Sequence, residues 1–159
     1  MVSPTFFESV IGAGAILSGF CGTFLAFRIQ REAAYYRQPA VDFQTESARD
    51  IYVGLTHFTP PFLLLLLATA AALAFGFIVP LLAIAGLRGP FISIPAVVSG
   101  LVAAVTLLVG YFAAELLHYA IISSTLLNDI HEWRKGRGVV IATVVLTAVL
   151  TVSAYLCVV

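Results

Sequence analysis

The residues of this chain that could do chemistry are concentrated on one predicted helix. Glu115 and His118 are three positions apart, so a helix places them on one face, and Tyr111 extends that face by a turn. His57 precedes another apolar run, and we expect it at the same side of the protein. A carboxylate, an imidazole and a phenol in this arrangement suit an ion or ligand pathway, a metal ligand pair or a structural ion pair.

The same residues also have a plainer interpretation. A charged side chain in mid-membrane costs about 2.5–3.5 kcal/mol on insertion scales, and pairing Glu115 with Arg28 or with His118 would offset that cost. A di-iron carboxylate bundle needs a second Glu-x-x-His pair and two further glutamates, which the sequence does not supply. We therefore expect no metal and no cofactor. We interpret Glu115 as structural, with ion or ligand handling as the alternative.

Four long apolar runs must position these residues. They cover residues 6–27, 62–85, 97–117 and 139–159. Each approaches or exceeds the roughly 20 residues that cross the hydrocarbon core as a helix. Hydrophobic residues make up 61% of the 159 residues and charged residues 10%, whereas soluble domains have roughly 45–50% and about 25%. The sequence predicts an all-α integral membrane protein, with one domain of four transmembrane helices over residues 1–159.

The basic residues predict the orientation of these helices. Seven of the eight lie in two connections, 28–61 and 118–138, which we assign to the cytoplasm. Both termini of the antiparallel bundle are then outside. The third helix is predicted to extend into the cytoplasm, because its sequence contains no breaker over about 30 residues. Cys21 and Cys157 would lie in opposite halves of the membrane, too far apart for a disulfide.

Turn and cap signals predict the helix ends. The first helix should continue to about Tyr36, because Pro39 is the first residue that stops it. A short interfacial helix is predicted over 42–55, and Thr59-Pro60 should open the second transmembrane helix. The stretch 129–133 is predicted to be a helix-terminating turn, and 136–138, Gly-Arg-Gly, should turn the chain into the fourth helix.

Small and hydroxyl side chains recur at four-residue intervals on two of the helices. Gly14, Ser18 and Gly22 form a ladder of small residues along the first helix, which would let another helix approach closely. On the fourth helix a stripe follows the same interval, at Thr143, Thr147 and Thr151. The stripe suits either hydrogen bonds between helices or part of a pore lining.

The remaining motifs exclude several classes of function. The chain has no glycine loop outside the apolar runs that could cradle a phosphate, and it has no paired thiols. It also has no basic tract interleaved with aromatics, so nucleic-acid binding is excluded. We predict a small polytopic protein of a prokaryotic cytoplasmic membrane, non-catalytic, which lies in the lipid bilayer and associates with itself or with other membrane subunits. The first alternative is an oligomeric transporter or channel with Tyr111, Glu115 and His118 at its inner mouth. The second is a membrane enzyme or metal-binding protein that uses Glu115 and His118.

Overall fold

A computed structural model describes the backbone of residues 4–37, 59–87, 89, 91–124 and 130–159. Side chains are described for 5–30, 61–87, 89, 91–117 and 138–159. Within these residues every regular element is helical. The elements are α1 (Pro4–Arg37), α2 (Thr59–Leu73), a π-helical turn (Ala74–Ile78), α3 (Val79–Ile84), α4 (Ile94–Ser124) and α5 (Ile130–Val158).

Four helical segments of the described chain are long and apolar enough to cross a membrane. They are Thr5–Gln30, Pro61–Ile84, Ile94–Leu117 and Gly138–Val158, and we call them the first to fourth spans. The second span is continuous, because the π-turn joins α2 to α3 without a break. These segments confirm the predicted all-helical fold with four helices of membrane-spanning length.

α1 and α4 continue past the C-terminal ends of their spans, as the absence of breakers predicts. α1 reaches Arg37, close to the expected end at Tyr36, and α4 is 31 residues long. The predicted interfacial helix over 42–55 lies outside the described residues. So does residue 129, the first residue of the predicted helix-terminating turn.

The start of the fourth helix was predicted wrongly. α5 begins at Ile130 and runs through the Gly-Arg-Gly segment at 136–138, where we expected a turn. It also includes residues 130–133, which we expected in a helix-terminating turn. Glycine costs a helix interior only about 1 kcal/mol relative to alanine, and it ends a helix where its φ becomes positive. Among the described glycines, φ is positive at Gly86 alone, at 82°.

Gly86 ends the second span with two backbone hydrogen bonds. Its N–H donates to Ala83 O at 3.1 Å, and the N–H of Leu87 donates to Leu82 O at 3.0 Å. This pair of bonds is the Schellman motif, in which the residue with positive φ follows the helix cap. The short connection from Gly86 then leads into α4.

The π-turn in the second span has a local cause in the sequence. Pro80 has no N–H to donate to the carbonyl of Gly76, and its ring would clash with that carbonyl in a regular α-helix. The backbone widens instead, and the N–H of Val79 bonds to Ala74 O, five residues back. The apolar run over 62–85 is thus helical, as predicted, with one π-helical turn within it.

Two separate groups of buried side chains form the core. We call the end of the bundle where α1 begins the upper end. The upper cluster consists of Phe7, Val10 and Val97, and the side chains packed around it include Val79 and Ala83 of α3. The lower cluster consists of Cys21, Leu64, Leu65, Ala68, Leu107, Leu108 and Tyr111. Residue numbers therefore rise from the upper to the lower cluster along α1 and α4, and they fall along the second span.

α4 lies at the centre of the molecule and α5 at its edge. Within its span α4 buries the largest share of its residues, and α5 the smallest. α5 packs mainly on α4, and Thr143 occupies the space that a side chain at Gly110 would need. The opposite face of α5 exposes apolar side chains such as Val145 and Leu156.

Candidate functional site

The two buried charged residues of the described chain form an ion pair with each other. Arg28 Nη1 contacts Glu115 Oε1, and these residues are only 3% and 7% exposed. Both lie two residues before the end of their spans, the first and the third. The structure thus confirms the interpretation that Glu115 pairs with an arginine.

The direction of the helices brings these charges to one level. Because α1 and α4 run the same way, the lower end of each span carries one of the two partners. One turn earlier, the rings of Phe24 and Phe112 meet edge to face at 4.8 Å. Because the two charged side chains are almost fully buried, separating them would leave each charge in a medium of low dielectric constant. Removing one partner of such a pair typically costs about 3–5 kcal/mol.

Tyr111 lies on the same part of α4, one turn above Glu115. It belongs to the lower cluster, and its ring is 5.5 Å from that of Phe112. His118 belongs to α4 by its backbone, but its side chain lies outside the described residues, and so does the whole of His57. Tyr111 and Glu115 thus lie one turn apart on α4, and the predicted ion or ligand pathway stays a prediction.

The other buried polar side chains bond to the backbone of their own helices. Ser99 Oγ donates to Ala96 O at 3.1 Å. The hydroxyls of Thr143 and Thr147 donate to the carbonyls four residues earlier, at 2.8 and 2.7 Å. The bonds of these two hydroxyls are thus within α5 and not between helices, because a threonine hydroxyl reaches the preceding turn easily.

Two buried hydroxyl oxygens have no hydrogen-bond partner among the described residues. They are Oγ of Ser18, in the ladder of α1, and Oγ1 of Thr151, at the upper end of the α5 stripe. Each belongs to a residue whose side chain is only partly buried. Neither lies beside the ion pair, since Ser18 precedes Arg28 by ten residues and Thr151 lies at the upper end of the stripe.

The two glycines of the predicted ladder on α1 have different surroundings. Gly14 packs directly against the second span, where Gly76 carbonyl oxygen occupies the space of a Gly14 side chain. A Cβ at Gly22, two ladder steps later, would meet nothing within 4 Å. Sequence reasoning missed the packing role of Gly76, Gly100 and Gly110, although glycine inside an apolar span is itself a signal of close helix approach.

Small residues form a largely exposed surface on another side of α1. We call this surface the outer face of α1, and it consists of the exposed Gly12, Ala15, Gly19 and Ala26 and the half-buried Gly22. A Cβ at Gly12, Gly19 or Gly22 would meet nothing within 4 Å. The members alternate in steps of three and four residues, which is the spacing of a helix–helix seam.

An apolar groove opens between α1 and α4 at the middle of their spans. Its volume is about 410 Å³, and it is lined by Ala13, Ile16, Leu17, Phe20, Leu101, Val105 and Leu108. The lining contains no charged or hydroxyl side chain, so the groove can hold apolar groups and offers no anchor for a polar one.

Metal ligands do not gather in the part of the chain whose side chains are described. No three His, Cys, Asp or Glu residues come together there. The cysteines of that part are free, Cys21 in the lower cluster and Cys157 on the surface of α5. Comparisons with protein families, with curated proteins and with solved structures find no match for this chain.

Proposed function

We propose that this protein is a non-catalytic component of a prokaryotic cytoplasmic membrane. In this proposal the four spans form an antiparallel bundle with both termini outside. The bundle associates with further copies of itself or with other membrane subunits. The role of the protein is then to hold a membrane assembly together.

The observation that carries the proposal is how the buried polar groups are used. The polar residues that are buried as a whole, Arg28, Ser99, Glu115, Thr143 and Thr147, all have partners within the chain. The exceptions among the described residues are the hydroxyl oxygens of the partly buried Ser18 and Thr151. Pores and transport sites need a polar lining that a solute can reach. The groove between α1 and α4 is apolar instead. This inventory favours a structural bundle over a pathway for polar solutes.

The outer face of α1 supports association with another helix. In lipid, helices associate through close packing and not through the hydrophobic effect, so small residues at the seam matter most. The described chain places no side chain or backbone within 4 Å of the Cβ positions of Gly12, Gly19 and Gly22. A helix of a second copy or of another subunit can therefore approach the backbone of α1 there.

One alternative has an observation of its own in its favour. Ionisable residues within a span often belong to an ion or substrate pathway, and π-helical turns occur frequently at functional sites. Glu115 lies within the third span, and the second span contains a π-helical turn. An oligomeric transporter or channel with Tyr111, Glu115 and His118 at its inner mouth would use both features.

Ion flux into proteoliposomes separates the two proposals. We expect the unmodified protein to give no more proton or cation flux than liposomes that contain the Arg28→Leu/Glu115→Leu variant. Replacing both charges keeps the site filled with apolar groups, and such replacements of a buried ion pair are often neutral for stability. Flux through the unmodified protein that disappears in Glu115→Gln would contradict the structural proposal and establish the alternative.

A further inference from the structure

In the upper half of the bundle there is a layer in which glycines replace side chains. α1, the second span and α4 each contribute one glycine to this layer, namely Gly14, Gly76 and Gly100. A Cβ at Gly76 would lie 2.7 Å from the Cα of Gly14. At Gly100 the ring of Phe75 occupies the space that a side chain would need. The three helices therefore meet here through their backbones and one aromatic ring.

This glycine layer separates the two hydrophobic clusters. The upper cluster joins the start of α1 to α3 and to the start of α4. The lower cluster joins the later part of α1 to α2 and to the middle of α4. Interdigitated side chains give each cluster a fixed arrangement, because packed cores deform little. The glycine layer has few side chains that could lock one cluster against the other.

The second span is also weakened at this layer. The π-turn from Ala74 to Ile78 contains Gly76, and Pro80 follows one turn later. A π-turn and a proline each disturb the ladder of backbone hydrogen bonds, and sharp helix kinks occur at such places. The groove between α1 and α4 begins at the same level, since Ala13 and Leu101 are neighbours of Gly14 and Gly100.

We propose that the glycine layer is a hinge, about which the upper cluster tilts relative to the lower cluster. The bending point is the π-turn, and the ion pair of Arg28 with Glu115 holds the lower part together. Tilting moves the upper ends of α1 and α4 together, since both belong to the upper cluster. This inference does not depend on whether the protein associates with other subunits.

Distances between pairs of spin labels test the hinge on the full chain in lipid nanodiscs. The native thiols are removed by Cys21→Ala and Cys157→Ser. One label pair, at Ile84 and Leu156, joins the second span to α5 at the upper end. The reference pair, at Leu63 and Ile141, joins them at the lower end, and all four positions are exposed.

We expect the upper distance distribution to be about twice as broad as the lower one, as for two bodies joined by a hinge. Pro80→Ala restores a backbone donor to Gly76 and should narrow the upper distribution to the width of the lower one. A third pair across the groove, at Ile16 and Val105, lies below the glycine layer on both helices and should be as narrow as the lower pair.

Pro95→Ala is the matched control, because Pro95 lies in the opening turn of α4, where its missing N–H breaks no helical bond. It should leave all three distributions unchanged. Equal widths at the upper and lower ends of the unmodified bundle would overturn the proposal. An upper distribution that Pro80→Ala leaves broad would overturn it as well.

Discussion

At the scale of single residues, the ion pair of Arg28 with Glu115 is the main feature of this protein. The pairing of Glu115 with a basic residue could be predicted from the sequence, because a charge in a membrane span needs a partner. The sequence did not decide whether Arg28 or His118 would be the partner of Glu115. It depends on the register between two helices that are far apart in the chain, and composition does not determine that register.

Removing the carboxylate should destabilise the fold strongly. We expect Glu115→Ala to lower the free energy of unfolding by about 3–5 kcal/mol, because the Arg28 guanidinium then stays buried without this acid. Unfolding of the purified protein by sodium dodecyl sulfate, followed by circular dichroism, measures the change.

Glu8→Ala is the control, since Glu8 is an exposed acid on α1. It should leave the free energy of unfolding nearly unchanged. The charge-reversed variant Arg28→Glu/Glu115→Arg should recover part of the loss. An equal effect of Glu115→Ala and Glu8→Ala would show that the buried ion pair contributes nothing to the fold.

At the scale of the elements, α1 shows why a spacing pattern predicts packing only in part. Successive residues of an α-helix are about 100° apart, so each four-residue step of the ladder turns by about 40°. The ladder therefore begins at Gly14, against the second span, and ends at Gly22, which faces open space. The sequence shows the small residues, whereas the position of the second span decides which of them it contacts.

Glycine substitutions on the two faces of α1 should differ in their effect on the free energy of unfolding. We expect Gly14→Leu to lower the free energy of unfolding by at least about 1–3 kcal/mol, the usual cost of overpacking, because the backbone of Gly76 occupies its space. Gly12→Leu should fold normally, since nothing lies within 4 Å of its Cβ position. The same unfolding titration compares the two variants, and similar losses would contradict the packing of Gly14 on Gly76.

The second span shows a limit of the same kind. Pro80 in an apolar run signals a disturbed helix, but its effect depends on the room that neighbouring helices leave. Here the widened turn places Gly76 against Gly14. The Gly-Arg-Gly segment at 136–138 carries a similar signal and stays helical within α5. Local sequence thus gives the sites of possible interruption, and tertiary packing selects among them.

At the scale of the whole molecule, the four spans were predictable because the membrane requires long apolar helices. Which ends of the spans face the cytoplasm is a proposal that rests on the positions of the basic residues.

Cys157 tests this orientation, because its thiol is exposed near the end of α5. We expect an impermeant maleimide to label Cys157 in intact cells, and Cys157→Ser to abolish the labelling. Labelling that requires opened cells would place this terminus on the inner side.

Association through the outer face of α1 is the central claim, and the subunit count of the protein in nanodiscs tests it most directly. Native mass spectrometry should find dimers or larger assemblies of the unmodified chain, and Gly19→Leu should shift them to monomers. Gly138→Leu introduces the same side chain at an equally open glycine of α5 and should leave the count unchanged. An unmodified chain that is monomeric, or a Gly19→Leu variant that assembles as before, would contradict the claim.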